Sequence, residues 1–134
     1  MNIIISNTSK EPIYKQLEIQ IIDQVVSGTL VENTPLPSIR KLARILGISV
    51  ITVKRAYEDL EREGYINTIS GKGSFVSNKD IDMLIKKQTS KLEKNLAKII
   101  HDMFKLGIDK NEIIKTVSVL CKEDLKWTQL RYKA

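Results

Sequence analysis

Apolar residues recur at every third or fourth position through most of this chain of 134 residues, and this spacing predicts a mainly helical fold. The first helix is expected to begin at Pro12, where a missing N–H costs nothing, and to end at Gly28. Pro35 and Pro37 prevent its continuation. Before it, the short apolar run at residues 3–5 predicts an edge strand.

Two short helices joined by a tight turn are predicted next. Ser38 is placed to cap the first helix, which Gly47 ends. Ser49 is placed to cap the second helix, which Gly64 ends. Two helices in this arrangement form a helix-turn-helix, whose second helix enters the major groove of DNA. Each helix has one apolar side, made by Ile39, Leu42, Ala43 and Leu46 and then by Val53, Ala56, Tyr57 and Leu60.

A β-hairpin with a basic tip follows these helices. Its strands are expected at residues 65–69 and 74–77. Gly71 and Gly73 flank Lys72 in the turn between them, and glycine permits the positive φ that such a turn requires. A hairpin in this position is a wing that can enter or flank the minor groove. Residues 1–78 are therefore interpreted as a winged helix-turn-helix DNA-binding domain.

The apolar spacing continues into two further helices. A long amphipathic helix is predicted from Asp80 to Gly107, with Thr89 the only polar residue on its apolar stripe. Asp109 and Glu112 form a capping box at the start of a last helix. The predicted fold is therefore mainly α with a small β wing, in which a C-terminal helical hairpin follows the N-terminal winged helix-turn-helix.

The two C-terminal helices are interpreted as a dimerisation region covering residues 79–134. Two helices cannot enclose a ligand cavity of the usual size, so their apolar faces need a partner surface. A homodimer supplies one and also pairs two reading helices for a palindromic site. The alternative is that the hairpin packs on its own winged-helix domain. The predicted dimer contacts are Ile85, Leu92, Leu96, Ile99, Met103, Ile113, Val117 and Leu120.

Charge supports the DNA-binding interpretation only through its local distribution. The net charge is +6, but residues 1–78 contain nine basic and eight acidic residues, so the excess lies in the C-terminal region. Residues 33–57 contain five basic residues and no acidic one, and four acidic residues then follow at 58–63. This pattern suits a helix that docks on DNA by its N-terminal turns.

The candidate DNA-binding residues occupy the two helices and the wing. Short hydroxyls and a lysine on the outer side of the second helix can bond phosphates or base edges. Arginines on the first helix suit contacts with the phosphate backbone. A single surface lysine is usually only solvated, so the prediction depends on the whole set occurring together. The set is Ser38, Arg40, Arg44, Ser49, Thr52, Lys54, Arg55, Gly71, Lys72 and Gly73.

Other function classes find little support in the composition. One cysteine and one histidine exclude a disulfide framework and a conventional zinc site. Cys121 lies on the apolar stripe of the last helix and is expected to be buried and inert. No apolar run is long enough to cross a bilayer, so the cytoplasm is the expected compartment. The sequence shows no catalytic constellation, cofactor motif or metal-ligand set, and it leaves the identity of any small-molecule effector unknown.

The helix-turn-helix and wing motifs resemble those of the GntR family of bacterial transcription regulators, and specifically its short YtrA-like branch. The matching segments include Pro-Ile-Tyr-Lys-Gln-Leu from Pro12, Leu-Pro-Ser-Ile-Arg from Leu36, Leu-Gly-Ile-Ser from Leu46 and Gly-Lys-Gly-Ser-Phe-Val from Gly71, within about half of the chain.

The resemblance implies a role for each part. Arg40 would contact backbone or base, Ser49, Thr52 and Lys54 would lie in the major groove, and the wing would reach the minor groove. The C-terminal helices would serve dimerisation without a conventional effector domain, and such regulators often control transporter operons that include their own gene. Many relatives carry arginine or asparagine where this chain has Val50 and Ile51, an apolar pair that can contact a thymine methyl group.

These observations predict a homodimeric, sequence-specific DNA-binding regulator that represses transcription at a palindromic promoter-proximal operator. Two alternatives predict different behaviour. A winged helix used for protein docking would leave no palindromic footprint. A nonspecific architectural binder would hold any duplex with similar affinity, whereas a specific regulator prefers its site by several kcal/mol.

Overall fold

The computed structural model describes the backbone of residues 1–133 and the side chains of residues 1–123. The mainly helical fold with a small wing is confirmed. In chain order the elements are α1 Ile13–Val26, α2 Ile39–Leu46, α3 Val50–Glu63, β1 Ile66–Ile69, β2 Gly73–Val76, α4 Ile81–Lys105 and α5 Lys110–Lys133.

Local capping sets the ends of α2 and α3, as the sequence predicts. The Ser38 hydroxyl accepts a hydrogen bond from the backbone N–H of Lys41 at 3.1 Å, and the Ser49 hydroxyl accepts one from the N–H of Thr52 at 3.2 Å. Gly47 ends α2 in the left-handed region at φ 66°. The turn between the helices is therefore fixed by its own residues.

The core lies where α1, α2 and α3 meet the wing. Leu17 and Ile21 of α1, Val53 and Leu60 of α3, and Ile66 of β1 are almost fully buried. Such burial stabilises each large aliphatic side chain by about 1.5–3 kcal/mol. These contacts hold α3 from behind and leave its opposite side free.

The Tyr57 side chain links α3 to the segment before α2. Its hydroxyl donates a hydrogen bond of 2.7 Å to the backbone oxygen of Pro37. The ring is buried, and this burial raises the pKa of Tyr57 above its ordinary value. The bond therefore persists at physiological pH and fixes the entry to α2 relative to α3.

The wing is a two-stranded antiparallel hairpin. Ile66 pairs with Val76 and Ile69 with Gly73. Gly71 and Gly73 have φ values of 77° and 108°, which glycine adopts without the strain that a side chain would add. The backbone N–H of Leu36 also bonds the oxygen of Ser74 at 2.9 Å, so the segment before α2 is attached to the wing.

The predicted strand at residues 3–5 is wrong. The N-terminal segment is extended, but it runs beside α1 instead of joining a sheet. The side-chain amide of Gln20 both accepts a hydrogen bond from the N–H of Ile4 and donates one to its oxygen, at 2.9 and 2.7 Å. Gln16 pairs with Ser6 in the same way. Glutamine side chains spaced one turn apart thus replace a neighbouring strand.

Packing divides the chain into two compact units, residues 1–87 and 88–134. We refer to them as the winged-helix unit and the helical unit. The division falls after the predicted boundary at 78/79, because the first two turns of α4 belong to the core of the winged-helix unit. Leu84 is buried there, and Ile81 packs against the same cluster. A Cβ on Gly64 would approach Leu84 Cδ2 to 2.9 Å, which shows how closely α4 follows the end of α3.

The helical unit contains the rest of α4, a tight turn and α5. Gly107 has a φ of 83°, and the Asp109 carboxylate accepts a hydrogen bond from the N–H of Glu112 at 2.9 Å, which confirms the predicted cap of the last helix. Ile113 is the one buried side chain among residues 88–123. The prediction that Cys121 is buried is wrong for the single chain, where it is exposed. Among the described residues, no helix is long and apolar enough to span a membrane.

Candidate nucleic-acid interface

Helix α3 has two chemically different sides. Val53, Ala56 and Leu60 face the core and are buried. On the other side Ile51 is 79% exposed, and Lys54 and Arg55 are also exposed. A helix that is anchored along one side and bare on the other can enter a groove without disturbing the fold.

The first turn of α3 presents backbone N–H groups and hydroxyls. The Ser49 hydroxyl caps the helix and lies 3.1 Å from the Thr52 hydroxyl, so the two side chains hold each other in place. Ser49 is exposed and Thr52 is half-buried. The free N–H groups of a helix N-terminus favour an anion such as phosphate. Ser38 has the same capping role in α2, where it is also exposed.

Lys54 is held only loosely. Its ammonium lies 3.9 Å from the Glu58 carboxylate one turn later, and both side chains are about 60% exposed. Exposed pairs of this kind are worth little, because both charges are well solvated and their side chains lose freedom when paired. Lys54 can therefore leave Glu58 for a stronger acceptor at small cost.

Arg55 is oriented by a tyrosine from α1. Its guanidinium carbon lies 3.8 Å from the centre of the Tyr14 ring, which is the geometry of a cation–π contact. Tyr14 is half-buried and packs against the core, so the ring offers a fixed platform. Tyr14 is not among the residues that the sequence predicts to be functional. Its role toward Arg55 depends on how α1 and α3 pack, which no local pattern shows.

The remaining candidate residues are all at the surface of the winged-helix unit. Arg40 and Arg44 lie one turn apart on α2 and are exposed. Lys72 lies exposed at the tip of the wing between Gly71 and Gly73, and its N–H bonds the oxygen of Ile69 at 2.9 Å to close the turn.

The C-terminal half of α3 takes part in a pair of carboxyl groups, formed by Asp59 and Glu18 of α1. Glu18 of α1 is buried, and this burial raises the pKa of Glu18 to about 7, together with the hydrogen bond that protonated Glu18 donates to Asp59 and the like charge of Asp59. The hydrogen bond from Glu18, together with Arg62, lowers the pKa of Asp59. Arg62 Nη2 lies 2.5 Å from Asp59 Oδ1. When the pair carries one proton, Glu18 holds it, and the pair links α1 to the part of α3 that is distant from Ser49.

The described residues form no candidate metal site. Residues 1–123 contain no group of three or more histidine, cysteine, aspartate or glutamate side chains placed to hold a metal ion. The interface built from α2, α3 and the wing offers cations, hydroxyls, backbone N–H groups and apolar side chains, which are the groups that contact nucleic acids.

Known proteins share this arrangement. The family described as "Bacterial regulatory proteins, gntR family" matches residues 13–76, from the start of α1 to the end of the wing. The HTH-type transcriptional repressor YtrA of Bacillus subtilis (strain 168) is 32% identical over 113 residues, which cover 82% of this chain and 87% of that protein. The similarity therefore extends beyond the wing into the long helices.

Solved structures of other proteins are also similar to this chain. The crystal structure of a transcriptional antiterminator from Listeria monocytogenes EGD-e is 34% identical, with a TM-score of 0.66 over 90% of each chain. YtrA from Sulfolobus acidocaldarius, a GntR-family transcription factor, is 33% identical, with a TM-score of 0.57 over 90% of this chain and 97% of that one.

Proposed function

The chain belongs to the GntR family and is a DNA-binding transcription regulator rather than an enzyme, and from this premise we propose that it is a homodimeric repressor of a palindromic operator. In this proposal each subunit of the dimer places α3 in one half-site of the operator, and the bound protein excludes polymerase from the promoter. The protein acts in the cytoplasm. The repressor role rests on similarity to proteins that are themselves named repressors.

The observation that carries the DNA-binding proposal is the bare outer side of α3. Its first two turns expose Ser49, Ile51, Lys54 and Arg55, and no acidic residue lies among them. Arg40 and Arg44 on α2 and Lys72 on the wing add cations that suit phosphate contacts. Negatively charged DNA therefore meets only favourable or neutral groups until Glu58.

The dimer proposal is supported by an apolar stripe that the single chain leaves uncovered. The predicted contacts on α4 repeat with alternating steps of three and four residues, with Thr89 at one position, which is the pattern of a coiled-coil seam. Leu92, Leu96 and Ile99 are 66%, 48% and 58% exposed. On α5, Val117 and Leu120 are 40% and 54% exposed. Apolar surface of this extent is unusual on a monomer and fits a second copy of the chain.

The dimer is tested by placing a charge on the stripe. Leu96→Glu buries an unpaired carboxylate in the proposed seam, so we expect it to shift the protein from dimer to monomer in sedimentation analysis and to weaken operator binding. Lys94→Glu is the matched control, because Lys94 is exposed on α4 but lies off the stripe. A Leu96→Glu protein that sediments as the wild type does would contradict the proposed seam.

The DNA proposal is tested by footprinting on the DNA upstream of the protein's own gene, followed by titrations at several salt concentrations. A repressor of this kind should protect a symmetric site. With Arg40, Arg44, Lys54 and Lys72 on two subunits, the log–log salt slope should be roughly −5 to −8, at about −0.9 for each neutralised phosphate. A slope near zero would refute the assigned contacts. Equal affinity for every duplex would favour an architectural role, and the absence of any footprint would favour protein docking.

A further inference from the structure

We propose that Ile51 determines operator specificity by contacting the methyl group of a thymine in the major groove. This inference rests on the proposed function, because it requires that α3 read DNA. It assigns to an apolar side chain a role in base recognition that polar and basic residues usually have.

The position of Ile51 is the first reason. It is the second residue of α3 after the Ser49 cap, within the turns that enter the groove in this motif. Successive helical residues lie about 100° apart, which places Ile51 nearly opposite Val53 and the rest of the buried side of α3. Its side chain is 79% exposed, whereas Val53 is fully buried. Ile51 therefore projects farthest from the core at the reading end of the helix.

The chemistry of the side chain is the second reason. Isoleucine has no hydrogen-bond donor or acceptor, so it cannot recognise the polar edges of guanine, cytosine or adenine. The thymine C5-methyl is the one apolar group that the major groove presents on a standard base. Contact with that methyl also removes the exposed surface of Ile51 from water, which is favourable in itself.

The surroundings of Ile51 favour DNA over an apolar protein partner. Arg55 lies one turn after Ile51, and Lys54 lies between them in sequence, so cations adjoin the apolar side chain. Arg55 is held on the Tyr14 ring, at 3.8 Å from its centre, and remains exposed. An apolar docking surface is usually depleted of charge at its centre, whereas a DNA-reading surface combines cations with apolar contacts to methyl groups.

Val50 has a lesser role in this assignment. It precedes Ile51 and lies about 100° around the helix, closer to the buried side. Its side chain is 45% exposed, so part of it already packs on the protein. We therefore assign the methyl contact to Ile51 and not to the pair.

The experiment removes the methyl group without changing the base pairing. A preferred duplex is selected from a randomised pool with the full-length protein, and each thymine is replaced in turn by deoxyuridine. For the wild type, one replacement in each half-site should weaken binding by about fourfold, the effect of losing one buried methyl-sized group. In Ile51→Ala the same replacement should have no effect. Ile4→Ala is the matched control, because Ile4 is 60% exposed but lies in the N-terminal segment beside α1.

Each outcome has one meaning. Loss of the deoxyuridine penalty in Ile51→Ala, with the penalty retained in Ile4→Ala, supports the assignment. A wild type that is insensitive to deoxyuridine at every position, or a penalty that persists in Ile51→Ala, overturns it while the DNA-binding proposal stands. Failure to prefer the selected duplex over a scrambled one would overturn both.

Discussion

Glu18 is the only charged side chain that is buried among residues 1–123, and its replacement by glutamine tests how the α1–α3 packing depends on pH. When Glu18 is ionised, its buried Oε1 accepts no hydrogen bond, and its Oε2 lies 3.5 Å from the Lys15 ammonium. Burial is the main cause that raises its pKa, followed by the hydrogen bond and like charge of Asp59. Ionised Glu18 therefore destabilises the packing of α1 against α3, whereas protonated Glu18 or glutamine does not.

The sign and size of the effect follow from linkage. The pKa of Glu18 rises from 4.5 in the unfolded chain to about 7 in the fold, so the folded state keeps a proton that the unfolded state has lost. The free energy of unfolding should therefore fall as pH rises from about 4.5 to 7, by roughly 3 kcal/mol at most. The lowered pKa of Asp59 has the opposite effect, but it acts at more acidic pH, below its ordinary value of 3.8.

Urea unfolding followed by helical circular dichroism at one protein concentration measures this dependence. Glu18→Gln should be more stable than the wild type at pH 8, close to it at pH 5, and less sensitive to pH between these values. Glu32→Gln serves as a control, because Glu32 is exposed in the loop before α2. A Glu18→Gln protein that is less stable at pH 8, or that keeps the wild-type slope, would refute the reasoning.

Two further predictions concern the proposed DNA-binding surface of α2, α3 and the wing. Arg40→Ala should weaken binding to all duplexes alike, whereas Lys54→Ala should also relax base preference. Lys94→Ala is the control, because it removes one positive charge from α4, outside the proposed DNA-binding surface. Competition anisotropy with cognate and scrambled duplexes measures both effects. If Lys54→Ala prefers the cognate duplex as strongly as the wild type does, Lys54 does not contribute to base recognition. Tyr14→Phe should bind as the wild type does, whereas Tyr14→Leu should weaken binding by about two- to fivefold per half-site as Arg55 loses its platform. An equal loss in an Arg55→Ala background would show that Tyr14 acts in another way.

The parts of the fold that the sequence predicted are those that local chemistry determines. Ser38 and Ser49 each cap a helix through a backbone N–H three residues later, and Gly47 and Gly64 end those helices in the left-handed region. Such interactions join residues that are at most about four positions apart in the sequence, so the sequence alone is enough to locate them. The wing turn followed from its two glycines for the same reason.

The parts that the sequence did not predict depend on neighbours that are distant along the chain. Residues 3–5 have the composition of a strand, but glutamine side chains of α1 satisfy the neighbouring backbone groups, as Gln20 does for Ile4. The contact between Tyr14 and Arg55 likewise joins two helices. On α4 and α5 the apolar periodicity predicted which face of each helix is apolar. It did not predict which surface packs against that face, because burial of apolar surface is not directional.

Under the proposed function, the two sides of α3 separate folding from recognition within one helix. Val53 and Leu60 anchor the helix to the core, and Tyr57 bonds Pro37 at 2.7 Å, so substitutions on this side change stability first. Ile51 and Lys54 are largely exposed and make no buried contact, so substitutions there should change DNA affinity with little effect on unfolding. The anchored side also restricts the motion of the exposed side, because the core and the Tyr57 bond fix the orientation of the whole helix. Sequence preference can therefore vary among such proteins through a few outward residues while the scaffold that presents them stays the same.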